Sequence, residues 1–236
     1  MKTAFVTCAD YNFKPGLNKL HSSLHKHNDM SGIDKILISD EIDEFKDYEV
    51  ISPGEAFEEI PIKNPRFKKS FYKLLCFSLT EYDRVIFIDA DILCLADISN
   101  LFALTDFAAA ADDGIRLNNV YKENFKRFNS GVMVINKSLL SLSVYNEMID
   151  YAMSGQSYDS GDQGVINEFM YKHNIKIHYL PMEYNTLKRV YFHHKPIWNK
   201  IKNNIKLLHY VGHKPWNRYT VDDIKYKELN QLWWRS

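Results

Sequence analysis

The segment Val85-Ile86-Phe87-Ile88-Asp89-Ala90-Asp91 places two carboxylates, one residue apart, directly after a fully apolar run. Such a run reads as a buried strand, and in open α/β sheets ligands bind beyond the carboxyl ends of the strands. A local turn over Ala90 would aim both carboxylates at one cation. Hard oxygen donors at that place suit Mn²⁺ or Mg²⁺, and the pyrophosphate oxygens of a nucleotide would complete an octahedral shell. An Asp-x-Asp alone carries little weight, because aspartate is favoured in turns for its own hydrogen bonding. Two further clusters give it weight.

The first is Asp159-Ser160-Gly161-Asp162-Gln163-Gly164, set before the apolar positions Val165, Ile166, Phe169 and Met170. Helix capping accounts for one aspartate there, but not for two glycines and a glutamine around it. Polar side chains on a glycine-rich loop can approach a ligand closely because the backbone does not obstruct. The second is Leu207-Leu208-His209-Tyr210-Val211-Gly212-His213-Lys214-Pro215-Trp216. An apolar strand ends there at His209, whose neutral imidazole would add a metal ligand. Gly212 would let backbone approach a phosphate, and Lys214 would balance diphosphate charge.

These groups need a scaffold, and the remaining pattern supplies one. Thr3 to Cys8 reads as a buried strand, Leu17, Leu20 and Leu24 recur at helical spacing behind Gly16, and Lys35 to Ser39 reads as a second strand. This βαβ opening is followed by a helical face from Lys68 to Leu79 and the strand Arg84 to Ile88. Further strands are expected at Phe107 to Ala111, Gly131 to Ile135, Ile175 to His178 and Ile205 to His209, with helices over Leu142 to Ala152 and Val221 to Trp234. Asn185 to Asn204 shows the least pattern and reads as a mobile loop or an acceptor-facing insertion. The expectation is a single α/β domain over residues 1–236, with a mostly parallel nucleotide-binding sheet flanked by helices.

Thirty basic and thirty acidic residues balance, so no global field draws in nucleic acid or an anionic membrane. Cys8, Cys76 and Cys94 lack the spacing of a zinc site or a redox dithiol and read as buried thiols in a reducing compartment. No apolar stretch approaches the roughly 20 residues that span a bilayer. A cytoplasmic protein without a transmembrane anchor is therefore expected, with room for a homodimer.

The blocks AFVTCAD, KLLCFSLTEYDRVIFIDADILCLADISNLF, FNSGVMVIN, YDSGDQGVIN, LPMEYN and LLHYVGHKPWN occur in an order that resembles the glycogenin-like family 8 glycosyltransferases. The resemblance implies the A-type glycosyltransferase fold and a retaining transfer of a hexose, glucose or galactose foremost, from a UDP-sugar to a glycan or glycoprotein acceptor. It further implies that Asp89, Asp91 and His209 hold Mn²⁺. Lys73, Ala90, Asn129, Ser130, Gly212 and Lys214 would help hold the donor, with Cys8 and Asp10 near the uracil and ribose. Asp159, Asp162 and Gln163 would face the transferred sugar, with Asp162, Gln163 and Lys214 closest to the chemistry.

Two rival readings remain at this stage. A haloacid-dehalogenase-like phosphohydrolase also sets Asp-x-Asp after an apolar strand, but normally on its first strand, whereas here the first strand ends in Cys8-Ala9-Asp10. A non-catalytic nucleotide-sugar-binding module would keep the metal ligands without needing Asp162, Gln163 and Lys214.

Overall fold

Strand β1 (Thr3–Cys8) is buried along almost its whole length, as its apolar run requires. The computed structural model of the chain describes residues 1–62, 65–112, 120–121, 125–155, 161–217 and 224–236. After β1 the chain forms α1 (Lys14–His27), then β2 (Asp34–Ile38) and β3 (Glu49–Ile51). β4 (Arg84–Ile88) and β5 (Ile92–Cys94) flank the two aspartates, and β6 (Ala108–Ala111) follows. The short strands β7 (Val120–Tyr121) and β8 (Phe125–Lys126) precede the long β9 (Phe128–Asn136).

Helix α2 (Leu142–Ser154) is bounded by local chemistry. The Ser141 hydroxyl accepts from the Val144 amide at its start, and Gly155, at φ 64°, closes it in the left-handed conformation. Then come α3 (Asp162–Lys172), β10 (His178–Leu180), β11 (Thr186–Leu187), α4 (Lys188–His193), α5 (Lys195–Ile201), β12 (Leu207–His209) and α6 (Lys227–Arg235).

The main sheet has the order β10-β6-β9-β4-β1-β2-β3. β4, β1, β2 and β3 run parallel, β10 is parallel to β6, and only β9 opposes both of its neighbours. Alternation along the strands sends Val6, Val85 and Phe87 to one face with Phe77, Val165 and Phe169. Phe5, Ile86 and Ile88 go to the other face, against Leu17, Leu20 and Leu24 of α1. A small sheet, β11-β12-β5, carries a third apolar cluster that includes Leu187, Val190, Trp198, Leu208, Tyr210 and Trp233.

Three expectations are corrected. The helical face expected from Lys68 to Leu79 is a 3₁₀ helix over Pro65–Ser78, in which buried Phe71, Leu74 and Phe77 recur every third residue, the period of that tighter coil. The strand expected at Ile175 begins only at His178, and Ile175 and Ile177 instead pack their side chains on the core. Asn185 to Asn204 is no loop: it forms β11, α4 and α5, because Val190, Trp198 and Ile201 bury against the small sheet.

Candidate active site

The carboxylate pair stands on a tight turn at the carboxyl end of β4. The Ile92 amide donates back to the Asp89 carbonyl at 3.2 Å, and the Asp89 amide donates to the Gly131 carbonyl of β9 at 2.8 Å. Because β9 runs against β4, with Ile88 opposite Val132, the Asn129-Ser130-Gly131 end of β9 reaches the same sheet edge as the aspartates. The small sheet brings the third group: His209 lies opposite Ile92, and the Tyr210 amide donates to the Asp91 carbonyl at 2.9 Å. His209 Nε2 is then 3.2 Å from Asp91 Oδ1 and 3.7 Å from Asp89 Oδ2. One ligand atom from each of Asp89, Asp91 and His209 lies within 4.8 Å of the others.

Which nitrogen of His209 carries its proton follows from a chain of amides. A backbone N–H only donates, so the Gly131 amide, 3.0 Å from Asn129, marks that atom as Oδ1. Asn185 must therefore turn its Nδ2 to Asn129 Oδ1, at 2.8 Å, and its own Oδ1 to His209 Nδ1, at 2.9 Å. Oδ1 only accepts, so Nδ1 is protonated and in the neutral ring the Nε2 lone pair faces the two carboxylates. Three acceptors directed at one point, buried or half-buried, fit a divalent cation. Gly131 makes room for this: a Cβ there would lie 2.4 Å from His209 Cε1.

The same ladder runs on to the other predicted cluster. Asn129 Nδ2 donates to Gln163 Oε1 at 2.9 Å, the Ser130 amide donates to that oxygen at 3.2 Å, and Gln163 Nε2 donates to Asp112 Oδ2 at 3.0 Å. Asp162, the first residue of α3, is buried and accepts from the Ser130 hydroxyl at 2.7 Å. Lys73, 4% exposed, ties the clusters together, with Nζ 3.0 Å from Asp89 Oδ1 and 3.1 Å from Asp162 Oδ2. Burial alone would pull this ammonium down, but Asp162 and Asp89 outweigh it and hold Lys73 well above its usual range.

Lys214 donates to Asp91 Oδ2 and, at 3.1 Å, to the Tyr210 carbonyl, so it reaches the site. Burial would raise Asp91, yet the Lys214 ammonium beside it holds it well below the usual carboxylate range. Asp89 moves the other way: burial and the neighbouring Asp91 raise it against the pull of Lys73. The segment that carries Lys214 is docked. The Trp216 indole donates to the Asn12 carbonyl at 2.9 Å and meets the Phe13 ring edge-on at 5.8 Å, while buried Lys188 donates to the His213 carbonyl. Gly16 permits that docking, since a Cβ there would meet the Ala90 carbonyl at 2.5 Å and Trp216 at 2.6 Å.

Of the remaining predicted residues, Ala90 is buried between the aspartates and Gly212 turns the chain at φ 78°. Cys8 ends β1 half-buried, and its thiol is pushed well up by burial and by Cys76. Asp10 caps the short turn Tyr11–Phe13, accepting from the Phe13 amide at 2.9 Å, and lies 3.9 Å from Lys69. Asp159 lies outside the described residues. Reading of single motifs missed Asn185, Asp112, Lys188 and the two steric roles of glycine. Asn185 had a signal, as the last residue of the block LPMEYN; the others had none without their neighbours in space.

A profile described as Glycosyl transferase family 8 matches residues 5–220. The chain belongs to glycosyltransferase family 8. Among its family 8 relatives, it is 34% identical to glycogenin-1 of Oryctolagus cuniculus over 184 residues, 76% of this chain and 51% of that protein. It is 32% identical to human glycogenin-1 over 203 residues, 79% and 54% respectively. An Arabidopsis thaliana protein, UDP-glucuronate:xylan alpha-glucuronosyltransferase 1, is 31% identical over 207 residues, 81% of this chain and 28% of that protein. The chain thus spans about half the length of the glycogenins it matches. The apo glycosyltransferase GlyE of Streptococcus pneumoniae superposes with a TM-score of 0.68 at 24% identity, covering 100% of this chain and 60% of that one. An active-site mutant of LgtC gives 0.70 at 18%, covering 97% and 95%. At those identities the likeness is one of fold, and it is the A-type fold expected from the sequence. No helix among the described residues is long and apolar enough to cross a membrane.

Proposed function

We propose that this chain is a metal-dependent, retaining glycosyltransferase that moves a hexose, glucose or galactose foremost, from a UDP-sugar to a hydroxyl of a glycan or protein acceptor. One observation carries the reading: the acceptor atoms of Asp89, Asp91 and His209 converge beside Asp162 and Gln163, with Lys73 bridging Asp89 and Asp162. Two carboxylates and an imidazole suit Mn²⁺, with Mg²⁺ the harder alternative. Bound there by Asp89, Asp91 and His209, the cation would offset the charge of the donor diphosphate.

Lys214 would exchange Asp91 for the diphosphate and stabilise the negative charge that grows on it as the bond to the sugar breaks. Asp162 and Gln163, oriented by Ser130 and Asn129, would hold the sugar hydroxyls, and Cys8 and Asp10 would lie near the uracil and ribose. Front-face attack is the route we favour: the acceptor oxygen bonds to the anomeric carbon from the side that UDP leaves, and the departing diphosphate oxygen takes the acceptor's proton. Family membership argues against a phosphohydrolase, and the paired Asp162, Gln163 and Lys214 argue against a module that only binds.

The test is UDP release from UDP-glucose, UDP-galactose, UDP-xylose, UDP-glucuronate and the N-acetyl relatives, with Mn²⁺ or with EDTA, with and without oligosaccharide acceptors. Release from a hexose donor, lost in EDTA and restored by Mn²⁺, is expected. Full release in EDTA would remove the metal from the proposal, and silence with every donor would remove the transferase.

A further inference from the structure

A second group of metal-ligating side chains lies outside the catalytic cluster. His21 and His25 stand four residues apart on α1, hence on one helix face, and Asp47 comes from the connection between β2 and β3. The two imidazole rings are 4.2 Å apart between centroids, and one ligand atom from each of the three residues lies within 4.8 Å of the others.

The lone pairs are set by the surroundings. His25 Nδ1 is 2.9 Å from the His21 carbonyl, which only accepts, so Nδ1 holds the proton and Nε2 is left as the ligand atom. His21 is held edge-on by Phe45, with ring centroids 5.7 Å apart, and packs on Tyr48 at the same distance. Its Nδ1 is buried without a hydrogen-bond partner among the described residues, an unmet polar atom of the kind that calls for a ligand or ion.

Asp47 supplies the negative charge. Lys35 holds its Oδ2 at 2.8 Å, and the carboxylate is exposed. With Lys35 and Lys46 nearby, purely electrostatic capture of a hard cation is disfavoured, whereas imidazole nitrogens select borderline transition metals.

We propose that His21, His25 and Asp47 form a second metal site, for a divalent transition metal of the Zn²⁺ class, which clips α1 to the β2–β3 connection. It is independent of the transferase reading and differs from the first cluster in chemistry, having two nitrogens and one carboxylate in place of two carboxylates and one nitrogen.

The experiment is calorimetric titration of ZnCl₂ into an Asp89→Asn/Asp91→Asn background, in which the first cluster has lost both of its carboxylates. One equivalent should bind, His25→Gln or His21→Gln added to that background should weaken it at least tenfold, and His27→Gln, on the same helix but outside the cluster, should leave it unchanged. Equal Zn²⁺ affinity with and without His25 would overturn the site, as would no binding below millimolar Zn²⁺. His25 is exposed, so its replacement leaves the core of the fold intact. In the unaltered protein, crystals soaked in ZnCl₂ should show zinc-edge anomalous density within bonding distance of His25 Nε2. A soaked crystal with zinc only at the catalytic cluster would overturn the proposal without touching the transferase reading.

Discussion

Asn185 Oδ1 accepts from His209 Nδ1 at 2.9 Å, and the side chain of Asn185 is almost wholly buried, so it acts on the site through the histidine. Outer-shell partners of this kind set ligand orientation and are worth about 10- to 100-fold in metal affinity. Asn185→Leu should lower Mn²⁺ affinity by that factor. Asn185→Asp, which keeps the acceptor for Nδ1, should retain more of it. Titration of Mn²⁺ followed by electron paramagnetic resonance reads the affinity directly; equal affinity in both variants and the native protein would show that the tautomer is set elsewhere.

Gly131→Ala puts a methyl group 2.4 Å from His209 Cε1 and 2.9 Å from Asn129 Oδ1. Neither neighbour is a free chain end, so His209 and Asn129 must be displaced from the positions that orient the imidazole. The expected cost is about 1–3 kcal/mol of stability, seen as a lower unfolding midpoint, together with weaker Mn²⁺ binding. A variant with native melting and native Mn²⁺ binding would contradict the packing described here.

Asp162→Asn should separate binding from turnover. The Asp162 carboxylate touches Lys73 and Ser130, and in the proposed reading it addresses the transferred sugar and not the nucleotide. UDP and Mn²⁺ affinity by calorimetry should stay within a few-fold of native, while kcat falls on the order of 10²-fold, the scale of a misplaced reacting group. Equal losses in affinity and rate would place Asp162 on the nucleotide.

Lys214→Ala should move two quantities in opposite directions. With its ammonium gone from Asp91, the carboxylate pair is freer to take a cation, so Mn²⁺ binding without nucleotide should equal or exceed the native value. The donor KM should rise about tenfold and kcat should fall, because the lysine would otherwise meet charge that grows in the transition state. Loss of Mn²⁺ affinity in this variant would mean that Lys214 supports the metal site and does not compete for it.

The parallel core and the carboxylate pair were legible from the chain alone because each rests on local pattern. An unbroken apolar strand such as Val85 to Ile88 must be buried on both faces, and polar residues that follow it must emerge at the strand's carboxyl end. The 3₁₀ coil at Pro65–Ser78 was not legible, since Phe71, Leu74 and Leu75 fit an α-helical face while Phe71, Leu74 and Phe77 fit a three-residue period equally well. Asn185 to Asn204 was misread for a related reason: its apolar residues have no regular period of their own and are ordered by a small sheet whose strands are distant in sequence.

The sequence by itself determined that Asp89, Asp91 and His209 stand at strand ends and Asp162 and Gln163 at a helix start, and that six ordered blocks match one family. Tertiary structure alone decided that His209 presents Nε2 to the aspartates. That depends on Asn185, Asn129 and the Gly131 amide, which are 24, 80 and 78 residues away along the chain and are brought together by β9, β11 and β12. A proton's position on an imidazole is set by what the other nitrogen touches, and no spacing along the chain encodes that contact.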